Sequence, residues 1–249
     1  MRPDMMQGSG VPKVGMGRGD AVYDAVRLLY CGYGVSLAFD GGEADDVGKC
    51  LAVKNELRRL IDMLGSAGRS STISLSLSRI GLDIDQEFAR GNLEELIREA
   101  AVYGMSIMIH AEEPCRTDRV LAMYKAVAER YRSAGITLQA NLQRTERDMA
   151  DLLPLSGRVR IVKGRHAIVA ESDIKDSAEA YLRLVERAIA SGSSVSIATH
   201  DEAILREAGR RGLLAAANAE VEMLQGVRTD LLQEIRSDGG RPRVYLSYS

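Results

Sequence analysis

The sequence predicts an α/β protein, a distorted (β/α)8 barrel of the TIM type, and three observations carry that prediction. Short apolar segments recur from residue 35 to the end of the chain, and amphipathic stretches long enough to cross over between parallel strands separate them. The segments end in polar or charged residues, as strands do where they lead into a functional face. At 249 residues, the length matches the roughly 250 that such a barrel needs.

Residues 1–19 are rich in proline, methionine and glycine and read as a flexible leader, with a single barrel domain over 20–249. Gly15-Met16-Gly17-Arg18-Gly19 lacks the spacing of G-x-G-x-x-G and follows no strand, so it is no dinucleotide fingerprint. Between Gly42 and Gly48 lie five residues where a P-loop has four, and Cys50 stands where Ser or Thr would ligand magnesium. Strands are expected over 35–40, 72–79, 105–111, 136–142, 158–164, 194–200, 219–224 and 243–248. Helices over 44–64, 85–103, 117–133, 145–153, 176–190, 202–210 and 229–236 fill the gaps between them. The eighth helix is expected to be missing or atypical. Apolar flanks of the first and last strands then need cover from the leader or from a second copy in a homo-oligomer.

In the second strand, Ile73, Leu75 and Leu77 share one face while Ser74, Ser76 and Ser78 share the other. A strand buried on both faces normally reads as continuous aliphatics. A small polar face suits an interior that is partly a ligand chamber, and ordinary small-residue packing is the competing reading. The fifth strand, Val159-Arg160-Ile161-Val162-Lys163-Gly164, carries two cations beside a terminal glycine. A buried cation needs a partner. This one points to an anionic ligand close to the backbone, the alternative being surface cations leaving a sheet edge.

All three histidines, His110, His166 and His200, fall at or just beyond strand C-termini, the face where this fold builds active sites. With Glu112, Glu113 or Glu220 they could hold a divalent metal. With Arg160, Lys163, Gln139 and Thr199 they could instead line a large anionic, hydrogen-bonding cofactor. No H-x-H or H-E-x-x-H spacing occurs, and the cations repel a metal, so no metal is expected. The formal net charge of −2 and the lack of a basic tract argue against nucleic acid. Cys31, Cys50 and Cys115 are scattered without a C-x-x-C, and no run reaches the roughly 18 apolar residues of a membrane span, so a soluble cytoplasmic protein is expected.

Motifs in strand order carry a family resemblance. Ile73-Ser74-Leu75-Ser76-Leu77-Ser78-Arg79-Ile80-Gly81 is similar to I-S-V-K-L-S-A-L-G, and Ile109-His110-Ala111-Glu112-Glu113 to I-D-A-E-E. Leu138-Gln139-Ala140 is similar to L-Q-A-Y, Val159–Gly164 to V-R-L-V-K-G, and Ala198-Thr199-His200-Asp201 to A-T-H-N. Glu220-Val221-Glu222-Met223-Leu224-Gln225-Gly226 is similar to E-F-Q-M-L-x-G, and Arg243-Val244-Tyr245-Leu246-Ser247-Tyr248 to R-V-Y-V-P-Y. Together they resemble the proline dehydrogenases, FAD-dependent enzymes on a distorted (β/α)8 barrel.

The resemblance implies FAD across the strand C-termini. Arg160, Val162, Lys163 and Gly164 would run beside the isoalloxazine, Gln139 at its polar edge, and Thr199 and His200 at the cofactor's middle. Lys175, in a stretch resembling K-K-D, would serve the adenosine side, and Glu220 falls in a matched cofactor strand. In the substrate half, Ser76 stands for a family lysine, His110 for aspartate, His166 for tyrosine and Arg165 for alanine. No counterpart of the family's Tyr-Leu-x-Arg-Arg helix occurs before Ser249. Leu224, Tyr245 and Tyr248 match site positions, and Arg79 and Arg165 would receive an anionic substrate at strand ends. His110 and His166 would accept the amine proton near neutral pH, with Tyr245 beside them. The implied activity is oxidation of the C–N bond of L-proline or a related cyclic amino acid or amine, by hydride transfer to flavin N5. Electrons would then pass to a quinone or similar acceptor. A barrel kept only for binding or scaffolding, and a metal-dependent lyase or hydrolase built on the histidines, are the other readings.

Overall fold

The protein is represented by a computed structural model that describes residues 16–67, 71–155, 157–164 and 177–249. Parallel strands close into a barrel in sequence order: β1 (Gly34–Phe39), β2 (Thr72–Leu75), β3 (Ser106–Ile109), β4 (Ala134–Gln139), β5 (Val159–Val162), β6 (Val195–Ala198), β7 (Ala219–Leu224) and β8 (Pro242–Tyr248). The barrel is sealed where β1 lies beside β8, from Gly34 opposite Arg243 to Phe39 opposite Tyr248. Between strands run α2 (Val47–Gly65), α3 (Gln86–Val102), α4 (Thr117–Ala128), α5 (Thr145–Leu152), α6 (Ser177–Ala190), α7 (Glu202–Arg210) and α8 (Thr229–Ser237).

Local chemistry starts these helices. Asp46, Asp85 and Asp201 accept backbone N–H bonds from the first turns of α2, α3 and α7, satisfying donors that no helical carbonyl can reach. The buried face of α2, Cys50, Val53, Leu57, Leu60, Ile61 and Leu64, has the three-and-four spacing of one helical stripe. It packs on the outer face of the barrel, where Leu37, Ile73, Ile107, Ile136, Ile161, Ile197 and Val221 are all buried in one core. Among the described residues, no helix is long and apolar enough to cross a membrane.

The first helix, α1 (Arg18–Tyr30), lies where a leader and then no element at all was expected. It buries Ala21, Val22, Ala25 and Leu29 and packs on β1, β8 and α2. The flank expected to need cover from the leader or a second copy is therefore covered from the N-terminal side, by α1. β2 stops at Leu75, short of residue 79, because Ser78–Ile80 wind into a tight 3-10 turn closed by Gly81 at φ 116°. That left-handed conformation favours glycine. The turn swings Ser76 and Arg79 out of the sheet and onto the barrel mouth.

Candidate active site

Alternate residues of β2, β5, β7 and β8 face inward and stack polar groups along the barrel axis. At the floor, Glu220 accepts from Arg158 Nη1 and from Arg243 Nε, each at 2.6 Å. Arg243 also donates to the Val35 carbonyl at 2.6 Å. One step up, Arg160 Nε and Nη2 grip the two oxygens of Glu222 at 2.7 Å each, and Nη2 reaches Ser74 Oγ at 3.1 Å. Both side chains of that pair are almost fully buried, at 4% and 2% exposure. The guanidinium lies 5.3 Å from the centre of the Tyr245 ring. Above it, the Tyr245 hydroxyl meets His110 Nε2 at 3.1 Å, and Ser76 Oγ meets His110 Nδ1 at 3.3 Å.

This column opens into one large cavity of about 2150 Å³ at the C-terminal ends of the strands. Its walls bring together two groups of expected site residues. Gln139, Val162, Lys163, Gly164, Thr199 and His200, at the ends of β4, β5 and β6, line it together with Ser76, Arg79, His110, Leu224 and Tyr245, at the ends of β2, β3, β7 and β8, and with Arg160. A single small ligand usually occupies 300–1,000 Å³, so there is room for a large cofactor and a substrate together.

Environment sets the charge states. Burial, then the nearby positive charges of Arg160 and Arg79, push His110 from the usual 6.5 down to about 3, with Glu222 opposing only in part. Part of its ring faces the cavity, but that opening lies deep in the mouth, so desolvation dominates. The expectation that His110 titrates near neutrality is therefore corrected: it stays neutral and hydrogen-bonds its neighbours. Burial lowers His200 as well. Burial works against the Glu222 carboxylate, but Arg160 and Arg243 outweigh it and hold the group below its ordinary range.

Several other expectations change. The strand-end cations do not wait for an external anion. Arg160 holds Glu222, Lys163 Nζ donates to Asp201 at 2.7 Å, and Arg79 donates to the Phe39 carbonyl at 3.0 Å with Asp40 at 3.8 Å. Glu220 is drawn into the floor network and does not line the cavity. Tyr248 faces the helix layer: it is buried against Phe39 and donates to Glu56 at 2.9 Å, away from a substrate. Arg165, His166 and Lys175 lie outside the described residues. Among those described, no three ligating side chains converge on a metal position. His200 Nε2 is instead taken up by the Leu224 N–H at 2.9 Å.

The signal for Glu222, absent from the expected site, was present in the sequence. Glu220-Val221-Glu222 alternates charge with an aliphatic, in phase with Arg158-Val159-Arg160, and period-two charge in a buried strand demands partners inside the barrel.

The donor set on the β4–β6 side suits a cofactor of the FAD type. Gln139 reaches the Glu112 carbonyl at only 3.3 Å, so its amide is loosely committed. Thr199 Oγ1 accepts from Asp201 N and, among the described residues, donates to none, which leaves its hydrogen for a ligand. Lys163 is 41% exposed despite its partner, so its ammonium can still meet an anion. Gly164 lines the chamber at φ 96°, where an added Cβ would fall 1.9 Å from Asn141 Oδ1, so the position is held as bare backbone.

A closed parallel barrel with a large chamber at its C-terminal face is the architecture of a ligand-binding barrel enzyme. The sequence profile of the proline dehydrogenase family matches residues 25–249, and the chain belongs to that family. It is 27% identical over 240 residues to proline dehydrogenase 1 of Bacillus subtilis, a match spanning 92% of this chain and 80% of that one. It is 29% identical over 245 residues to proline dehydrogenase of Deinococcus radiodurans, spanning 92% and 79%. The fold superposes on proline utilization A from Bdellovibrio bacteriovorus with a TM-score of 0.82 at 14% identity, covering 96% of this chain but only 30% of that protein. Proline utilization A from Bradyrhizobium japonicum gives 0.79 at 16% identity, with 96% and 29% covered.

Proposed function

We propose that the protein is an FAD-dependent oxidoreductase that oxidises the C–N bond of L-proline or a related cyclic amino acid or amine. The observation that carries this reading is the joining, in one chamber, of the Gln139–Lys163–Gly164–Thr199 donor side with the Ser76–His110–Tyr245 side, above Arg160. Bound FAD supplies a hydride acceptor at N5. Gln139, Thr199 and Lys163 would hold it by hydrogen bonds and charge, with the Gly164 backbone in close contact. Arg160, which lines the chamber from below, would offer the reduced cofactor a hydrogen-bond donor.

The chain's own groups orient the substrate rather than move its proton. His110, held neutral, fixes the Tyr245 hydroxyl, and that ring with Leu224 makes a partly apolar wall for a saturated ring. Residues 20–249 act as one barrel domain in this reading, in the cytoplasm and as a homo-oligomer, with a quinone or similar carrier as electron acceptor. Family membership supports the reading over a scaffold or a metal enzyme. Anaerobic mixing of the FAD-loaded protein with L-proline and a panel of cyclic amines tests it. Bleaching of the flavin's visible absorbance is expected, and a protein that holds FAD but is bleached by none of them would contradict the activity.

A further inference from the structure

The Arg160–Glu222 pair has a feature that fold stability does not require. The floor network of Glu220 with Arg158 and Arg243 already ties β5, β7 and β8 together. Glu222 adds a second buried ion pair at the level that opens into the cavity, which both its members line. It occupies the Nε and Nη2 edge of the guanidinium, and Ser74 shares Nη2. Among the described residues, Arg160 Nη1 makes no hydrogen bond. The arginine is thus pinned along one edge, and the donors of Nη1 are the ones left uncommitted.

Two opposite charges held this close cancel most of each other's field at longer range, while the hydrogen-bond donor stays in place. We propose that Glu222 is a positioning residue that fixes the Arg160 guanidinium at the chamber floor and cancels its charge, making the flavin harder to reduce than it would be above an uncompensated arginine. The inference rests on the flavoenzyme reading. It adds that this chain sets its redox poise through a buried carboxylate that need not touch the cofactor.

The test is the two-electron reduction potential of the FAD-loaded protein, wild type against Glu222→Gln. The amide keeps the size and one acceptor for Arg160 but removes the negative charge. The equilibrium should move at least tenfold toward reduced flavin, an upward shift of about 30 mV. A purely structural role would lower the thermal midpoint and leave the potential where it was, and that result overturns the proposal. If Glu222→Gln does not fold, Glu222→Asp carries the test. It withdraws the carboxylate by one methylene, and about a threefold shift in the same direction is expected by the same electrostatic argument. No shift there overturns the proposal equally. Wild-type protein that takes up no FAD defeats both readings. Wild-type protein bleached by a cyclic amine, with variants of unchanged potential, defeats only this one.

Discussion

The floor and the mouth of this barrel meet on β8, where Arg243 and Tyr245 stand two residues apart, and they solve opposite problems. Below, Arg158, Glu220, Arg243 and Thr72 satisfy one another and the Val35 carbonyl. Above, Ser76, His110 and Tyr245 are uncharged, keep spare hydrogen-bonding capacity and face open space. Burial is common to both, so burial does not mark function. The difference lies in whether the polar groups are saturated by the protein. In barrels of this class the N-terminal end serves stability and the C-terminal end chemistry, and here the divide falls at the Arg160–Glu222 layer.

The sharpest way to break that division is to empty the floor. Glu220→Ala leaves Arg158 and Arg243 buried without their shared carboxylate and should cost about 3–5 kcal/mol in urea unfolding. FAD affinity of the folded fraction should stay within a few-fold of wild type. A folded, stable variant with FAD affinity lost would mean that floor and mouth act as one unit.

At the mouth, pH reads the buried imidazole. His110 titrates at about 3 when folded against 6.5 ordinarily, so between those values the unfolded chain binds a proton that the folded one does not. Stability therefore rises with pH across that window and falls as pH drops through it, by at most about 1.4 kcal/mol per unit. Glu220 and Glu222, both held below the ordinary range, add slope of the same sign at lower pH. His110→Asn should remove only the imidazole's share, seen as a flatter profile in unfolding midpoints between pH 4 and 6.5 than the wild type gives. Identical profiles would show that His110 is not buried neutral.

Gly164→Ala places a side chain in a left-handed residue against Asn141. A loss of about 1–3 kcal/mol is expected, together with weaker FAD binding by titration. Unchanged binding would remove Gly164 from the cofactor wall. Smallest of all, Arg206→Ala breaks an exposed pair with Glu202 on α7, far from both regions, and should shift stability by about 0.5 kcal/mol or less in the same assay.

Much of this was legible along the chain. The serine face that begins in β2, the cations of the fifth strand and the strand-end positions of His110 and His200 follow from period-two alternation and length; Ser76, Ser78, Arg160, Lys163 and both histidines meet at one cavity, while Ser74 is taken up by Arg160 below it. Tyr248 was misread because the R-V-Y-L-S-Y stretch suggests that both tyrosines share a role. Three residues apart on a strand, however, they face opposite ways, Tyr245 inward and Tyr248 to the helices. The helix α1 was hidden by the glycines just before it, although Ala21, Val22, Ala25 and Leu29 already mark a stripe.

What the sequence by itself determined is the order of elements and the inward face of each strand, because side-chain direction alternates with every residue whatever the neighbours are. Only the tertiary structure decided which charges neutralise which. Arg160 and Glu222 are 62 residues apart and sit on strands that do not touch, so their meeting depends on closure of the barrel. The same closure made His110 neutral, since a pKa responds to the charges and the water within a few ångströms and not to the residues next to it in the chain.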